Sequence, residues 1–452
     1  MSWPGLVRTM LDRTDMDVKA PWRAPVIPRN SLHASLGDPV LGAMNFLNEV
    51  IDRYPQAISF APGAPAPTLL EPIDVAADLQ VYADHLRLVN GLSQAQVRRR
   101  LFQYGPSRGI INDLIAEALR RDQGIDAAAT SIVVTVGFQE GMLLVLRALC
   151  LASSDVLAVV QPCFAGAVGA ARVLGIDVVP VDECESGIDL AQLRRHCARM
   201  RSEGRRVRVL YVAPDHANPS GTRLTLKQRA ALLDVADKED LYLIEDATYG
   251  FTASDEEALP TLKAMDGVGR VIHIGTFSKI ALPGARVGFV VADQPVEGGT
   301  VLADALATLK SMTTVNTSPV CQAIVGGMLL KHDLSIRALG LAKGLYYRER
   351  LQTLLVALAR HVGAVAPAGT KSWNAPRGGF FVRLRIPAVA DLALLEVAAS
   401  EYGVLWTPMS MFYLNGGGRH EIRLACSYLT DAQINEGAAR LARFLRDHRV
   451  SL

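Results

Sequence analysis

A lysine, two hydroxyl residues and an arginine lie close together in residues 270–290, between two apolar runs. Thr276, Ser278 and Lys279 follow the first run, and Arg286 precedes the second. Open α/β sheets bind ligands at the carboxyl ends of such strands. Burial there lowers the pKa of an amine and favours its nucleophilic form, while hydroxyl groups and a guanidinium suit a phosphate. A lysine that can form a Schiff base beside a phosphate site suggests pyridoxal phosphate (PLP); the alternative is a polar turn with a solvated lysine.

Polar side chains also end two other apolar, strand-like segments. Asp246 closes the segment that begins at Leu241, and a carboxylate there is costly to bury without a partner such as a protonated pyridine nitrogen. Asn218 and Tyr249 have side chains that can hydrogen-bond the phenolic oxygen of the same ring. The alternative is that Asp246 caps the next turn and Tyr249 only packs in the core.

Four further positions suit one part of such a site. Gly137 opens a predicted helix whose N-terminal amides can hold a phosphate, and Phe164 follows a strand end, where it can stack on a flat ring. Arg423 lies in a short apolar strand, where an inward-facing guanidinium needs an anion such as a substrate carboxylate. Gly63 lets the backbone approach a ligand closely. The structural alternatives are a glycine hinge, a core phenylalanine, an edge-strand arginine and a proline-rich connector.

The composition is that of a globular protein with a large core. Of the 452 residues, 50% are apolar and 20% are charged, and the net charge is +2. Interspersed charges give no case for nucleic-acid binding, and polar and charged residues interrupt the apolar region 131–160, so no membrane span is predicted. The scattered cysteines and the histidines show no zinc-like spacing, which predicts reduced thiols and no metal site. The N-terminus lacks an apolar signal segment, so a cytoplasmic enzyme is expected.

Strand and helix patterns alternate strictly from residue 131 to residue 246. This alternation predicts an α/β fold with a mostly parallel sheet flanked by helices. A mainly helical region at 300–360 then leads to a smaller α+β domain. We expect an N-terminal arm at 1–38, a small α+β domain formed by 39–85 and 330–452, and a large PLP-binding domain at 86–329.

Three motifs occur together in an order and spacing that resemble the class I/II aminotransferases, which are fold-type I PLP enzymes of the aspartate aminotransferase superfamily. The motifs are Asn218-Pro219-Ser220-Gly221, Glu245-Asp246-Ala247-Thr248-Tyr249-Gly250, and Gly275-Thr276-Phe277-Ser278-Lys279 with Pro283-Gly284-Ala285-Arg286-Val287-Gly288. The resemblance covers residues 39–445. The joint match is more specific than any single motif, and it implies both the fold and the cofactor.

The resemblance implies a role for each candidate residue. Lys279 is implied to hold PLP as a Schiff base, Asp246 to pair with the pyridine nitrogen, and Asn218 and Tyr249 to bind the phenolic oxygen. The phosphate is implied to be bound by Thr276, Ser278, Arg286 and the amides of Gly137, Phe138 and Gln139, and the ring face to be covered by Phe164. The substrate α-carboxylate is implied to be bound by Arg423, Gly63 and Asn218. Tyr104 is implied to reach the phosphate in the neighbouring subunit. A homodimer with shared active sites is therefore implied. Phe138 and Phe164 depart from the family pattern, which often has a small hydroxyl residue and a tyrosine at these positions.

The activity implied by the resemblance is transfer of an amino group from an L-amino acid to a 2-oxo acid by a ping-pong mechanism. Lys279, Asp246 and Tyr249 are the implied catalytic residues, and Lys279 moves the proton from Cα. The same scaffold also serves PLP-dependent lyases, cyclases and oxidases, which these residues do not exclude. A transcriptional regulator with an aminotransferase-like domain would also need an N-terminal DNA-binding domain, and the residues before position 39 are too few to form one. The composition suggests specialised metabolism, with a non-proteinogenic or guanidino amino acid as substrate.

Overall fold

The computed structural model describes residues 26–38, 41, 49, 52–151, 153–184, 187–365 and 372–448. Residues 1–38 and 39–452 are separate compact units. In the first unit, the described residues form two single turns of 3-10 helix, Arg29–Ser31 and Ala34–Gly37. The rest of the predicted N-terminal arm, residues 1–25, lies outside the described residues.

An eight-stranded sheet forms the centre of the second unit. The strands of this unit are β1 (Ile58–Ser59), β2 (Ile132–Val136), β3 (Asp155–Gln161), β4 (Asp177–Cys184), β5 (Gly187–Ile188), β6 (Arg206–Val212), β7 (Tyr242–Asp246), β8 (Val271–Thr276), β9 (Val287–Val291), β10 (Pro295–Val296), β11 (Thr300–Val301), β12 (Phe381–Arg385), β13 (Val404–Leu405), β14 (Thr407–Pro408) and β15 (Glu421–Ala425). The large sheet has the order β2-β9-β8-β7-β6-β3-β4-β5. The neighbours from β8 to β4 are parallel, whereas β9 is antiparallel to β2 and β8 and β5 is antiparallel to β4.

Helices cover both faces of this sheet. The described helices are α1 (Val75–Leu88), α2 (Gln94–Phe102), α3 (Asn112–Gln123), α4 (Gly137–Leu149), α5 (Ala165–Val173), α6 (Leu190–Ser202), α7 (Leu226–Lys238), α8 (Leu262–Met265), α9 (Leu302–Ser311), α10 (Pro319–Lys331), α11 (Ile336–Ala357), α12 (Leu392–Tyr402) and α13 (Asp431–Asp447). Tyr211 of β6 packs in the core with α4 and α5, while the next residue, Val212, packs with α6 and α7 on the opposite face. The predicted mostly parallel sheet flanked by helices is confirmed. Within the described ranges, no helix has both the length and the hydrophobicity needed to cross a membrane.

A second core lies around two short sheets. Strands β12, β15 and β14 form an antiparallel sheet in that order, and β1 pairs in parallel with β13. Trp406, Leu424 and Phe444 are fully buried in this core. The segment around β1 is therefore packed with the C-terminal part of the chain, as expected for a small α+β domain.

Helix α1 packs elsewhere. Its residues Tyr82 and Leu86 share a core with Val325 of α10. A Cβ at Gly327 of α10 would lie 1.8 Å from the backbone oxygen of Asp78 in α1, so the two helices touch through their backbones. The domain limits remain a prediction, and this packing favours a boundary before α1 instead of at residue 85.

Candidate active site

Several predicted site residues lie around the carboxyl ends of two neighbouring parallel strands. Asp246 is the last residue of β7, and Thr276 is the last residue of β8. The connection from β8 to β9 carries Ser278, Lys279 and Arg286. Because β7 and β8 run in parallel, both deliver their polar groups to the same edge of the sheet.

The amine of Lys279 lies in surroundings that disfavour its charged form. Its Nζ donates a hydrogen bond to the carbonyl oxygen of Gly63 at 2.8 Å. Burial, together with the positive charges of Arg286 and Arg423, lowers the pKa of Lys279 to about 8, while Asp246 acts in the opposite direction. The direction of this shift agrees with the one that the sequence predicts. A neutral, nucleophilic amine is therefore accessible near neutral pH.

Thr276, Ser278, Arg286 and the start of α4 form one polar cup. The hydroxyl oxygens of Thr276 and Ser278 are 3.1 Å apart, and Nη1 of Arg286 donates to the Ser278 hydroxyl at 3.2 Å. Gly137, the first residue of α4, has a φ of +70°, and a Cβ at this position would lie 2.3 Å from Nη2 of Arg286. The first amides of α4 have no acceptor within the helix. Hydroxyls, a guanidinium and helix N-terminal amides are the donors that a phosphate monoester requires.

Hydrogen bonds hold both carboxylate oxygens of Asp246. The Tyr211 hydroxyl donates to Oδ2 at 2.6 Å, and the backbone N–H of Thr248 donates to Oδ1 at 3.0 Å. The Thr248 hydroxyl also donates to Oδ1. Burial raises the pKa of Asp246, and the hydrogen bonds from Thr248 and Tyr211 oppose this rise. A buried carboxylate of this kind suits a pyridinium nitrogen as its counter-ion.

Aromatic residues surround the remaining ring-binding positions. Tyr249 is buried, and Phe380 and Phe381 meet its ring edge-on at centroid distances of 5.0 and 5.7 Å. Phe164, the residue before α5, meets the ring of Phe138 at 6.2 Å. The Phe138 side chain therefore packs beside the predicted stacking residue, and only its amide belongs to the first turn of α4.

Arg423 is a buried guanidinium between two aromatic rings. Its Cζ lies 4.5 Å from the ring centre of Phe381 and 4.9 Å from that of Phe412. Its Nη1 donates to Asn218 Oδ1 at 2.8 Å, and its Nη2 donates to the carbonyl of Ala61 at 2.7 Å. Its Nε is buried and has no hydrogen-bond partner among the described residues. A buried donor without an acceptor is costly, so this atom favours an anionic ligand such as a carboxylate.

Gly63 and Tyr104 differ sharply in their surroundings. A Cβ at Gly63 would lie 2.6 Å from Cζ of Phe381, so a side chain has no room there. Its carbonyl accepts the hydrogen bond from Lys279, which brings a turn distant in sequence to this amine. Tyr104, in contrast, is 82% exposed just after α2.

Gln139 donates from its side-chain amide to the carbonyl of Gly166 and so connects α4 to α5.

Comparison with known sequences decides the family. The family described as aminotransferase class I and II matches residues 81–441. The chain belongs to this family. A (S)-3,5-dihydroxyphenylglycine transaminase from Amycolatopsis orientalis is 46% identical to it, over 92% of this chain and 94% of the relative. A 2-aminoadipate transaminase from Thermus thermophilus is 30% identical, over 88% of this chain and 92% of the relative.

Solved structures of aminotransferases have the same fold. A multiple-substrate aminotransferase from Thermococcus profundus matches with a TM-score of 0.75 and 25% identity, over 89% of this chain and 94% of that one. An alpha-aminoadipate aminotransferase from Thermus thermophilus, in complex with N-(5'-phosphopyridoxyl)-L-leucine, matches with a TM-score of 0.72 and 28% identity, over 92% and 99%. The polar cup, the buried Asp246 and the Lys279 amine fit PLP. The chain is a PLP-dependent aminotransferase of fold type I.

Two residues beside the candidate site, Tyr211 and Phe381, were not predicted as site residues, whereas Phe412 lies among the candidate pocket residues 409–413 that the sequence offers. Tyr211 bonds Asp246 from the neighbouring strand, and Phe381 and Phe412 enclose the Arg423 guanidinium. The signal for Tyr211 was present, because a tyrosine in the buried, apolar end of a strand needs a partner for its hydroxyl. Neither phenylalanine carries a signal of this kind, since each is equally suited to an ordinary core.

Proposed function

We propose that this aminotransferase moves the amino group of an L-amino acid to a 2-oxo acid in two half-reactions at one site, a ping-pong mechanism. Arg423 carries the proposal. Its buried Nε offers a hydrogen bond to an α-carboxylate, the group that amino acids and 2-oxo acids share. A single anchor of this kind can therefore serve both half-reactions.

Eleven residues would hold the cofactor. When bound, PLP supplies an aldehyde that condenses with amines and a ring that delocalises the electron pair left at the substrate Cα. The proposed contacts are Lys279 at the aldehyde, Asp246 at the pyridine nitrogen, Asn218 and Tyr249 at the phenolic oxygen, Phe164 at the ring face, and Thr276, Ser278, Arg286 and the first amides of α4, from Gly137 to Gln139, at the phosphate.

Lys279 would transfer the proton. Its pKa of about 8 keeps a neutral fraction available, and the Gly63 carbonyl orients the amine through one N–H. Nζ then takes the proton from the substrate Cα as a general base. Asp246 keeps the pyridine nitrogen protonated, because a buried carboxylate is stabilised by a positive partner. Tyr249 and Asn218 orient the ring from its other edge.

For the donor, we propose an amino acid with an aromatic ring on Cα. The support is the relative at 46% identity over nearly the full length of both chains, which is named for (S)-3,5-dihydroxyphenylglycine. Transamination of that amino acid interconverts an arylglycine and an aryl 2-oxo acid. Phe381 and Phe412 beside Arg423 provide aromatic walls next to the proposed carboxylate anchor. A guanidino amino acid, which the composition suggested, is the competing donor.

We also propose a homodimer in which Tyr104 reaches the phosphate site of the partner subunit. The support is its exposure of 82%, which leaves the ring free to contact another subunit, and tyrosine is enriched at protein–protein interfaces. A Cβ at the next residue, Gly105, would lie 3.6 Å from Pro319 and 3.8 Å from Asn316, so the backbone next to Tyr104 borders the start of α10. Tyr104→Phe should weaken PLP binding only if the protein dimerises.

Single-turnover chemistry tests the proposed function. The PLP-loaded protein is mixed, without a 2-oxo acid acceptor, with (S)-3,5-dihydroxyphenylglycine, (S)-phenylglycine, tyrosine, 2-aminoadipate or arginine. One equivalent of 2-oxo acid per active site, with further turnover only after an acceptor is added, is the expected result. Preference for the two arylglycines supports the proposed donor, and preference for arginine overturns it. Repeated turnover with release of ammonia would instead indicate a lyase or an oxidase.

A further inference from the structure

We propose that Tyr211 is a positioning residue that holds the carboxylate of Asp246 ionised and in one orientation for the pyridine nitrogen. The inference rests on the proposed role of Asp246 in the aminotransferase site. It adds a residue that lies outside the three motifs on which the family resemblance rests.

The sheet places the two side chains together. Tyr211 of β6 is paired with Ile244 of β7, two residues before Asp246. Side chains two positions apart on a strand share a face, so Tyr211 and Asp246 point to the same side of the sheet. Both are buried, with 3% and 6% exposure, and the phenol reaches Oδ2 at 2.6 Å.

The two carboxylate oxygens have different donors. Thr248 serves Oδ1 with its backbone N–H and its hydroxyl, whereas Tyr211 serves Oδ2. In the described part of the chain, Asp246 has no ion pair that would keep it charged. The other titratable groups that interact with this carboxylate are Lys279, His273, Cys163 and Tyr249.

Loss of the phenol hydroxyl has a defined consequence. Burial raises the pKa of Asp246 and the hydrogen bond from Tyr211 lowers it, so Tyr211→Phe raises that pKa further. The carboxyl group would then be protonated at a higher pH and would be less suited to a pyridinium. Tyr211→Phe removes one hydrogen bond to a charged carboxylate, and the loss of such a bond should lower the affinity for PLP about tenfold.

Equilibrium binding of PLP to the cofactor-free protein tests the proposal. Affinity is measured by calorimetry from acidic to neutral pH for the wild type, Tyr211→Phe and Tyr82→Phe. Tyr82 is the matched control, because its buried hydroxyl donates to the carbonyl of Ile110 at 2.7 Å and has no bond to Asp246. Tyr211→Phe should bind PLP about tenfold more weakly, and its affinity should be lost at a higher pH than in the wild type. Tyr82→Phe should keep both properties.

A double-mutant cycle with Asp246→Asn separates the two proposals. If Tyr211 acts through Asp246, Tyr211→Phe should have no further effect on PLP affinity in the Asp246→Asn background. An equal loss in both backgrounds, or wild-type affinity and pH dependence in Tyr211→Phe, would overturn the role of Tyr211. Wild-type affinity in Asp246→Asn would overturn the role of Asp246 itself.

Discussion

Nη1 of Arg423 and Oδ1 of Asn218 are 2.8 Å apart, although the two residues are separated by 205 positions in the sequence. Arg423 lies in β15 of the small sheet, and Asn218 lies in the loop that follows β6 of the large sheet. The hydrogen bond therefore couples the proposed carboxylate anchor to the proposed ligand of the cofactor ring. Any movement of one sheet relative to the other would change both.

Replacing Arg423 should impair the use of every amino acid donor. Arg423→Lys keeps a charge but loses the Nε donor and the planar guanidinium, so kcat/KM should fall about 100-fold for donor and acceptor alike. Steady-state kinetics measures the change. Arg385→Lys is the matched control, because Arg385 lies on the neighbouring strand with its side chain 77% exposed and should change kcat/KM little. Equal effects of the two substitutions would contradict the anchor role.

Lys279 should control both turnover and the pH dependence of stability. Lys279→Met should abolish transamination. In the cofactor-free protein, the pKa of Lys279 is lowered to about 8 from 10.5, so the unfolded state binds more protons between these values. The free energy by which the charged Lys279 destabilises the folded state is therefore present in full below pH 8 and disappears as pH rises toward 10.5. Thermal unfolding should show the Met variant more stable than wild type at neutral pH, with a smaller difference at alkaline pH; a constant difference would contradict the lowered pKa.

Gly137→Ala should weaken PLP binding. A Cβ there would lie 2.3 Å from Nη2 of Arg286, so the guanidinium must shift from its position in the proposed phosphate cup. Gly204→Ala is a close control, because Gly204 also has a φ of +70° but no heavy atom lies within 4 Å of its Cβ position. Both variants carry the same backbone strain, about 1 kcal/mol, whereas only Gly137→Ala should lose affinity for PLP. Calorimetric titration with PLP distinguishes them, and equal affinities would count against the cup.

Lys310 should stabilise the start of α4 through Glu140. The two side chains form an ion pair at 2.6 Å, with Lys310 buried and Glu140 10% exposed, and Glu140 also accepts from the backbone N–H of Val136 just before the helix. Lys310→Met leaves the carboxylate without its charged partner but with the Val136 and Thr314 donors, so the free energy of unfolding should fall by about 1–3 kcal/mol. Urea unfolding measures it. The double variant with Glu140→Gln should recover part of the loss, and no recovery would show that the pair is not coupled.

The sequence alone predicted the proposed cofactor lysine, the proposed pyridine-binding aspartate and the residues of the proposed phosphate cup. Thr276, Ser278, Lys279 and Arg286 lie within one strand–loop–strand segment, and Asp246 ends the parallel neighbour of its first strand. In a parallel sheet the carboxyl ends of neighbouring strands meet, so local patterns are enough to bring these groups together. The helix α7 is similarly local, because its capping box of Thr225 and Gln228 lies within its first turn.

Only the tertiary structure decided which distant groups complete the site. Gly63 meets Lys279 across 216 positions, and the two phenylalanines meet Arg423 from separate segments. The partner of Asp246 depended on the register of β6 against β7, since a shift by one residue would turn Tyr211 to the other face. The placement of α1 on α10 depended on the absence of a side chain at Gly327. Strand order, register and close packing are properties of the whole chain, and no local pattern of residue types contains them.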